Sequence, residues 1–377
     1  MGRRPIAPGV LKGYLLEEIV AYLIKNAGYR LITDVQTDPH DLALMGNGLQ
    51  VRGRGGYHQA DVLGELSWAP AFGNPIRLFI EAKWKGNGRG KVGIPETRHA
   101  VGILQDVNQV LVTVGVRPAN IGQAVDEDDI IASGRSFCYT YRYALCSTSG
   151  FSAGAQAYAL AHQIALLDLS HQDYDFLRET VDRVGDILQE YIARYLTNRS
   201  SIVKIIRATL RNALWGPNSL AIDEYIFREL TPLVRATRNI GELFVGVSAT
   251  GFVILLKAED PELMVRHMSA SVDPRTRIYY YPREDESFRW EIIVESDDVE
   301  PCKLSFALPD ALLRAMDEHS EGRRAAALNV KEQHFARITV YRITDTRSLI
   351  CSLKLDVESI AAARRRVESR PRRPYSE

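Results

Sequence analysis

The chain has 377 residues, enough for two or three domains with a core each. Lys plus Arg and Asp plus Glu both total 47, so the formal net charge is zero. That excludes a bulk polycation clinging to nucleic acid and confines any such contact to a local basic patch. Hydrophobic residues at 46% and charged residues at 25% match a soluble globular protein. No apolar run approaches the roughly 20 residues that span a bilayer. The start, Met1-Gly2-Arg3-Arg4-Pro5, is basic without the apolar run of a signal peptide. The expectation is a cytoplasmic protein with no membrane partner. Cys138, Cys146, Cys302 and Cys351 have neither zinc-ligand nor redox-motif spacing and read as buried, reduced thiols.

In chain order, Gly13–Ala27 repeats apolar residues at helical spacing and stops at Gly28. Tyr29–Val35 reads as a strand, and Asp38–Gly56 as a turn-rich stretch. A short strand follows at Ala60–Gly64, then a loop at Trp68–Asn74. Ile76–Lys83 is a clear strand, apolar for most of its length and charged at its end. After a Gly/Lys/Arg loop at Lys85–Gly93, Pro95 opens a helix to about Val107. Phe137–Ser147 is a strand, Ala153–Ala165 an Ala-rich helix, and Ile164–Leu169 contains a last short strand.

Beyond residue 170 the pattern changes. Tyr174–Leu196 and Ser200–Leu214 are amphipathic helices, the second capped by Ser200 or Ser201. Hairpins are expected at Glu242–Glu259, at Arg277–Tyr281 with Phe288–Val294, and at Arg337–Ile343 with Leu349–Leu355. Pro261–Ser271 and Pro309–Glu318 read as helices, and Leu304–Leu308 as a strand. The basic tail, with Arg364-Arg365-Arg366 and Arg370–Arg373, is expected to be disordered.

The chemistry concentrates in Asp61 and Glu81-Ala82-Lys83. Residues i and i+2 of a strand share a face, so Glu81 and Lys83 project together. If the two strands pair, Asp61 stands beside Glu81. Phosphodiester hydrolysis uses such a set: carboxylates hold Mg²⁺, the ion polarises the phosphate and acidifies a bound water, and a lysine orients or deprotonates that water. The backbone carbonyl of Ala82 is a further candidate ligand. Taken alone, the pattern is equally met by a strand end closed with a salt bridge. Tyr139, Tyr141 and Tyr143 alternate on one face and read as packing residues.

Four ordered blocks sharpen the reading: Gly13–Val20 with Ala27-Gly28-Tyr29; Gly53-Arg54-Gly55-Gly56-Tyr57-His58-Gln59-Ala60-Asp61-Val62; Ile76–Lys83 with Val92-Gly93-Ile94-Pro95; and Ser147–Gln156 ahead of Ile164–Asp168. Over about residues 11–170 the chain resembles the Mrr-like restriction endonucleases, a branch of the PD-(D/E)xK nuclease superfamily. Many relatives carry Gln where Glu81 stands here. The resemblance implies an α/β, restriction-endonuclease-like fold with a mixed central sheet flanked by helices, Mg²⁺ (with Mn²⁺ as substitute), DNA cleavage, and a role in restriction or phage defence. It also implies that Glu17 assists the metal site. Arg52, Arg54, His58, Gln59, Lys85, Arg89, Lys91 and Arg98 are candidate DNA contacts around the site.

The expected organisation is a nuclease domain at 11–170, a helical connector at 171–235, a second α+β domain at 236–360 and a tail at 361–377. A homodimer is expected, because cutting both strands needs two active sites. The later half is read as a recognition, regulatory or dimerisation module, with a protein or nucleotide regulator as its partner. Two alternatives stand beside the nuclease: an effector gated by that half, and a non-cleaving DNA-binding protein on the same fold. Gly86-Asn87-Gly88-Arg89-Gly90 lacks the ending of a P-loop, which argues against ATP hydrolysis.

Overall fold

The computed structural model describes residues 8–45, 48–67, 73–86, 90–109, 139–195, 199–216, 223–240, 243–250, 253–282, 288–306, 308, 312–313, 316, 323–343 and 348–368. Helix α1 (Pro8–Asn26) buries Leu11, Leu15, Leu16, Ile19, Val20, Leu23 and Ile24, the i, i+4 stripe of its sequence. Gly28 ends it at φ +95°, a conformation that favours a residue without Cβ.

The first half is a five-stranded mixed sheet in the order β1 (Tyr29–Leu31), β5 (Val62–Leu66), β6 (Ile76–Lys83), β7 (Thr140–Ser147), β8 (Ala165–Asp168). β6 pairs antiparallel with β5 and parallel with β7. β6 is central and alternates: Leu78 and Ile80 join the core beneath α1, while Phe79 joins the opposite core with Tyr141 and Tyr143. Helices α2 (Ile94–Gln109) and α3 (Ala153–Ala161) supply that second core through Ala100, Val101, Ile103, Ala155 and Ala159.

Several boundaries differ from the sequence reading: the helix expected over Ala153–Ala165 ends at Ala161, and the strand expected at Leu304–Leu308 spans Val299–Phe306. The turn-rich stretch Asp38–Gly56 contains a hairpin, β2 (Leu42–Met45) and β3 (Gly48–Arg52), which β4 (Tyr57–Gln59) extends to a three-stranded sheet. Its glycines punctuate strands rather than a continuous loop. The strand expected over Tyr29–Val35 stops at Leu31, because Asp34 accepts from the Gln36 N–H and starts a 3₁₀ turn. Asp61 is not inside a strand but at the bend between β4 and β5.

The connector is three helices: α4 (Asp175–Tyr195), α5 (Arg199–Trp215) and α6 (Glu224–Asn239). α5 begins at Arg199, ahead of the Ser200 and Ser201 expected to cap it. Ile202, Ile206, Leu210 and Leu214 of α5, with Ile226, Leu230 and Leu233 of α6, enter the same core as α1. The connector is therefore packed into the core beneath the five-stranded sheet. Glu18 of α1, 1% exposed, makes the polar clamp. Its Oε1 accepts from Arg207 Nε at 2.8 Å and Arg211 Nη2 at 2.7 Å, and its Oε2 accepts from Arg211 Nε at 2.7 Å.

The three expected hairpins are present, and they close into one barrel. Strands β9 (Leu243–Ser248), β10 (Val253–Ala258), β11 (Arg275–Pro282), β12 (Phe288–Ser296), β13 (Val299–Phe306), β14 (Arg337–Ile343) and β15 (Ser348–Leu355) run β10-β13-β12-β11-β15-β14-β9 around the ring. The β11–β15 pair is parallel. Closure removes the free edges that separate hairpins would leave. α7 (Pro261–Ala270) packs on it, and Trp290, Phe306 and Phe335 of α8 (Arg323–Phe335) share its core. The expected helix at Pro309–Glu318 falls largely outside the described residues. The tail reading is corrected over part of its length: Val357–Glu368 is a helix, α9, whose Arg364 bonds Asn329 at 3.1 Å and Glu332 at 2.5 Å on α8. Ile360 of the same helix is buried, so the arginines ride on an amphipathic face rather than a solvated chain. Arg342 of β14 donates to the Asn26 carbonyl and so caps the end of α1 from the barrel.

Cys146, Cys302 and Cys351 are buried free thiols, and Cys138 lies outside the described residues. None of the described helices is long and apolar enough to cross a membrane.

Removing a buried carboxylate leaves its partners' charges uncompensated. Glu18→Ala is expected to destabilise the chain by roughly 3 kcal/mol, the low end for a broken buried pair because both arginines keep some exposure. Urea unfolding of the two proteins measures it, and a loss under about 0.5 kcal/mol would exclude the clamp.

Candidate active site

Pairing of β5 with β6 puts Val62 opposite Ile80, and the Asp61 N–H reaches the Ile80 carbonyl at 3.1 Å. Asp61 thus stands one step beyond the last pair, next to Glu81. Its Oδ2 accepts from the Ala82 N–H at 2.8 Å. In an extended strand a residue's N–H and C=O point the same way, so the Ala82 carbonyl also faces the Asp61 side.

Glu81 and Lys83 project together from one face of β6, as i and i+2 must. Lys83 Nζ is ion-paired with Glu81 Oε1. The Tyr143 hydroxyl donates to Glu81 Oε2 at 2.9 Å, and its ring stacks on Phe79 with centroids 4.9 Å apart. Tyr143 is thus more than the packing residue its alternation with Tyr139 and Tyr141 implied. It orients the glutamate. Tyr139 and Tyr141 instead hold the fully buried Arg77, one through its ring face and the other through its hydroxyl at 3.1 Å.

The fourth sequence block secures the end of β6. The Thr148 N–H reaches the Lys83 carbonyl at 3.3 Å, and the Thr148 hydroxyl accepts from the Lys85 N–H at 3.0 Å. Val92 bonds Gly150 and Ser152 through backbone groups, which ties the third block to the fourth. Gly150 has φ +73°, and a Cβ there would meet Ser170 Oγ at 2.8 Å.

Glu17 approaches from α1. Its Oε2 lies 2.8 Å from Arg207 Nη2 on α5. Burial pushes the Glu17 carboxyl up to about 8. Arg207 offsets part of that, while Asp61 and Glu18 add to it. Burial also raises Asp61 above its usual range. Glu81 adds to that shift, and the Ala82 N–H, Lys83 and Arg207 oppose it. Asp61 therefore sits between two charged groups, Glu81 with Lys83 on one side and Glu17 with Arg207 on the other.

Among the described residues, no three His, Cys, Asp or Glu side chains gather closely enough to hold one metal ion. The donor chemistry still suits Mg²⁺, which is commonly held by one or two carboxylates with water completing the shell. Asp61, Glu81 and the Ala82 carbonyl could supply such a set. A hollow of about 700 Å³ lies elsewhere, on the connector helices α4 and α6. Glu179, Asp182, Asp186 and Glu190 line it together with Arg183 and Arg194.

No protein-family model matches the chain, and no curated protein matches it either. Among solved structures, a crystal structure of a protein of unknown function, AF1548, aligns at 17% identity with a TM-score of 0.31. The alignment covers 60% of this chain and 98% of that one, and at that score it carries no argument.

The candidate DNA contacts are distributed as follows. Arg52 and Gln59 are exposed on the β3–β4 pair, and Arg54 is exposed in the turn between those strands. His58 Nε2 is 2.7 Å from Asp106 Oδ2 on α2, and the Gly55 N–H donates to Asp106 Oδ1 at 2.8 Å. The His58 bond holds the Asp106 carboxyl below its ordinary range, so His58 anchors this turn to α2. Lys85 Nζ lies 3.6 Å from Glu96 Oε1 and 3.4 Å from the Lys91 carbonyl, and Lys91 itself is exposed. Arg98 is exposed and lies over the Tyr158 ring at 5.7 Å. Arg89 lies outside the described residues.

Sequence reasoning missed Tyr143, Arg207 and Asp106. The i, i+4 spacing of Arg207 and Arg211 on an amphipathic helix was a visible signal, but nothing in it named α1 as the partner.

The Glu17 shift has a definite sign. A carboxyl whose folded value lies above its unfolded one binds a proton more tightly when folded, so stability falls as pH rises through the window between them. That window runs from 4.5 to about 8 here. In EDTA, wild type should lose stability from pH 5 to 8 relative to Glu17→Gln, read from urea midpoints. Parallel curves would contradict the burial of a proton-binding Glu17.

Proposed function

We propose that the chain is a Mg²⁺-dependent DNA endonuclease of the restriction-endonuclease-like, Mrr-type fold, acting in the cytoplasm in restriction or phage defence. The observation that carries this reading is the meeting of Asp61, Glu81 and Lys83 at one end of the β5–β6 pair, with Asp61 fixed by the Ala82 N–H. A strand end closed by a salt bridge accounts for Glu81 and Lys83 alone. It does not account for a second, half-buried carboxylate one register step away, whose burial costs free energy unless it has a task.

Asp61, Glu81 and the Ala82 carbonyl would hold Mg²⁺ (Mn²⁺ as substitute), with Glu17 assisting through water. When bound, the ion supplies charge stabilisation at the phosphate and a more acidic water. The chain's own groups do the rest. Tyr143 holds one oxygen of Glu81 and leaves the other toward Lys83. Lys83 orients the attacking water and places positive charge beside the phosphate oxygens. Arg52, Arg54, Gln59, Lys85, Lys91 and Arg98 would serve the DNA backbone. A homodimer would bring the second active site that a double-strand cut requires.

A second reading is favoured by one specific observation: Arg207 of the connector touches Glu17. A module outside the nuclease-like half thus enters the site, as a gated effector nuclease would need, with the barrel as sensor of a protein or nucleotide.

Plasmid cleavage with Mg²⁺ or EDTA separates these readings. Wild type should cut with Mg²⁺ alone, and Lys83→Ala should lose at least about 100-fold, the usual scale of a general acid–base group. Full activity in Lys83→Ala or Asp61→Ala would sink the endonuclease reading. DNA binding with no cutting by wild type would favour the gated effector or a non-cleaving binding protein.

A further inference from the structure

Arg207 lies nearly 190 positions from Glu17 and Glu18 in sequence, yet it contacts both. Its Nη2 is 2.8 Å from Glu17 Oε2, its Nε donates to Glu18 Oε1 at 2.8 Å, and its guanidinium lies 5.0 Å from the centre of the Tyr14 ring. The planar fork of arginine suits this double engagement, and the Tyr14 face adds a cation–π contact. Arg211 shares only the Glu18 part of the work in the contacts described above. The site therefore contains a side-chain cation at the carboxylate that would complete a three-carboxylate cluster. Glu17 is paired with α5, and among the described residues Asp61, Glu81 and Glu17 do not form a three-carboxylate cluster.

We propose that Arg207 is a built-in competitor for divalent cation at Glu17. It holds the site in a two-carboxylate state, and a metal that recruits Glu17 must displace it. The inference rests on reading Asp61 and Glu81 as a metal centre, and it adds a positioning residue that the nuclease-like half does not itself supply. The physical basis is that both cations seek the same carboxylate oxygens, and a guanidinium held by Glu18 and Tyr14 is in place before any metal arrives. Glu18 keeps Arg207 near the site whichever partner Glu17 takes, so the exchange needs a side-chain movement rather than unfolding of α5.

Mn²⁺ binding to the full chain, followed by electron paramagnetic resonance of the free ion, tests this without recourse to activity. Arg207→Met should bind Mn²⁺ about tenfold more tightly than wild type, and Glu17→Gln/Arg207→Met should return to wild-type affinity. Arg211→Met, which leaves the Glu17 contact in place, should stay within twofold of wild type. Arg207→Gln keeps a hydrogen-bond donor for Glu17 while removing the charge. It carries the same expectation as Arg207→Met if that variant fails to fold. Unchanged or weaker Mn²⁺ binding in a folded Arg207 variant overturns the proposal, provided wild type binds Mn²⁺ and Asp61→Asn does not. If wild type binds no Mn²⁺ that Asp61→Asn removes, the metal-centre reading falls and the competition falls with it.

Discussion

The register between β5 and β6 is the constraint on which the site depends. Because Val62 faces Ile80, Asp61 arrives beside Glu81, and its carboxylate meets the Ala82 N–H. A slip of one residue would exchange the faces of every β6 side chain, burying Glu81 and Lys83 under α1 and turning Ile80 toward the core that holds Phe79. That slip is opposed on both faces at once. Ile80 and Phe79 are both fully buried, in different cores. The apolar content of β6 therefore sets not only the sheet but the position of three charged groups at its end.

Packing and electrostatics then divide the labour. The aromatic stack of Phe79 on Tyr143 is apolar, but it delivers a hydroxyl to Glu81. The clamp of Glu18 on Arg207 and Arg211 is polar, but its effect is to seat a helix. Burial raises the cost of charge at Asp61 and Glu17 alike. The two carboxyls differ in what answers that cost: a backbone N–H for one, a guanidinium for the other. This asymmetry follows from position, since Asp61 ends a strand and Glu17 lies on the helix that faces the connector.

Much of the first half was legible because its signals are local. β6 matches its expected residues end to end, and the Asp61–Glu81 juxtaposition followed from the strand period once pairing was assumed. The hairpin β2–β3 was hidden because glycine punctuation reads alike in a loop and between short strands. Arg207 was hidden because its partner is set by the docking of α5 on α1, and no local spacing encodes which helix lies opposite. The same limit applies to the barrel. Each hairpin showed in the alternation of its strands, whereas the parallel β11–β15 contact that closes the ring joins segments more than 70 residues apart. The arginines near the end read as disorder by composition, but Ile360 gives their helix an anchoring face.

Arg342 gives the barrel a hold on the far end of α1. From the Asn26 carbonyl back to Glu17, α1 is unbroken helix, a rod of roughly 14 Å at 1.5 Å per residue. A helix resists compression along its axis because its hydrogen bonds run parallel to it. A shift of the barrel that moved α1 along its axis would therefore carry Glu17 with it, opposed by the apolar stripe that holds the same helix in the core.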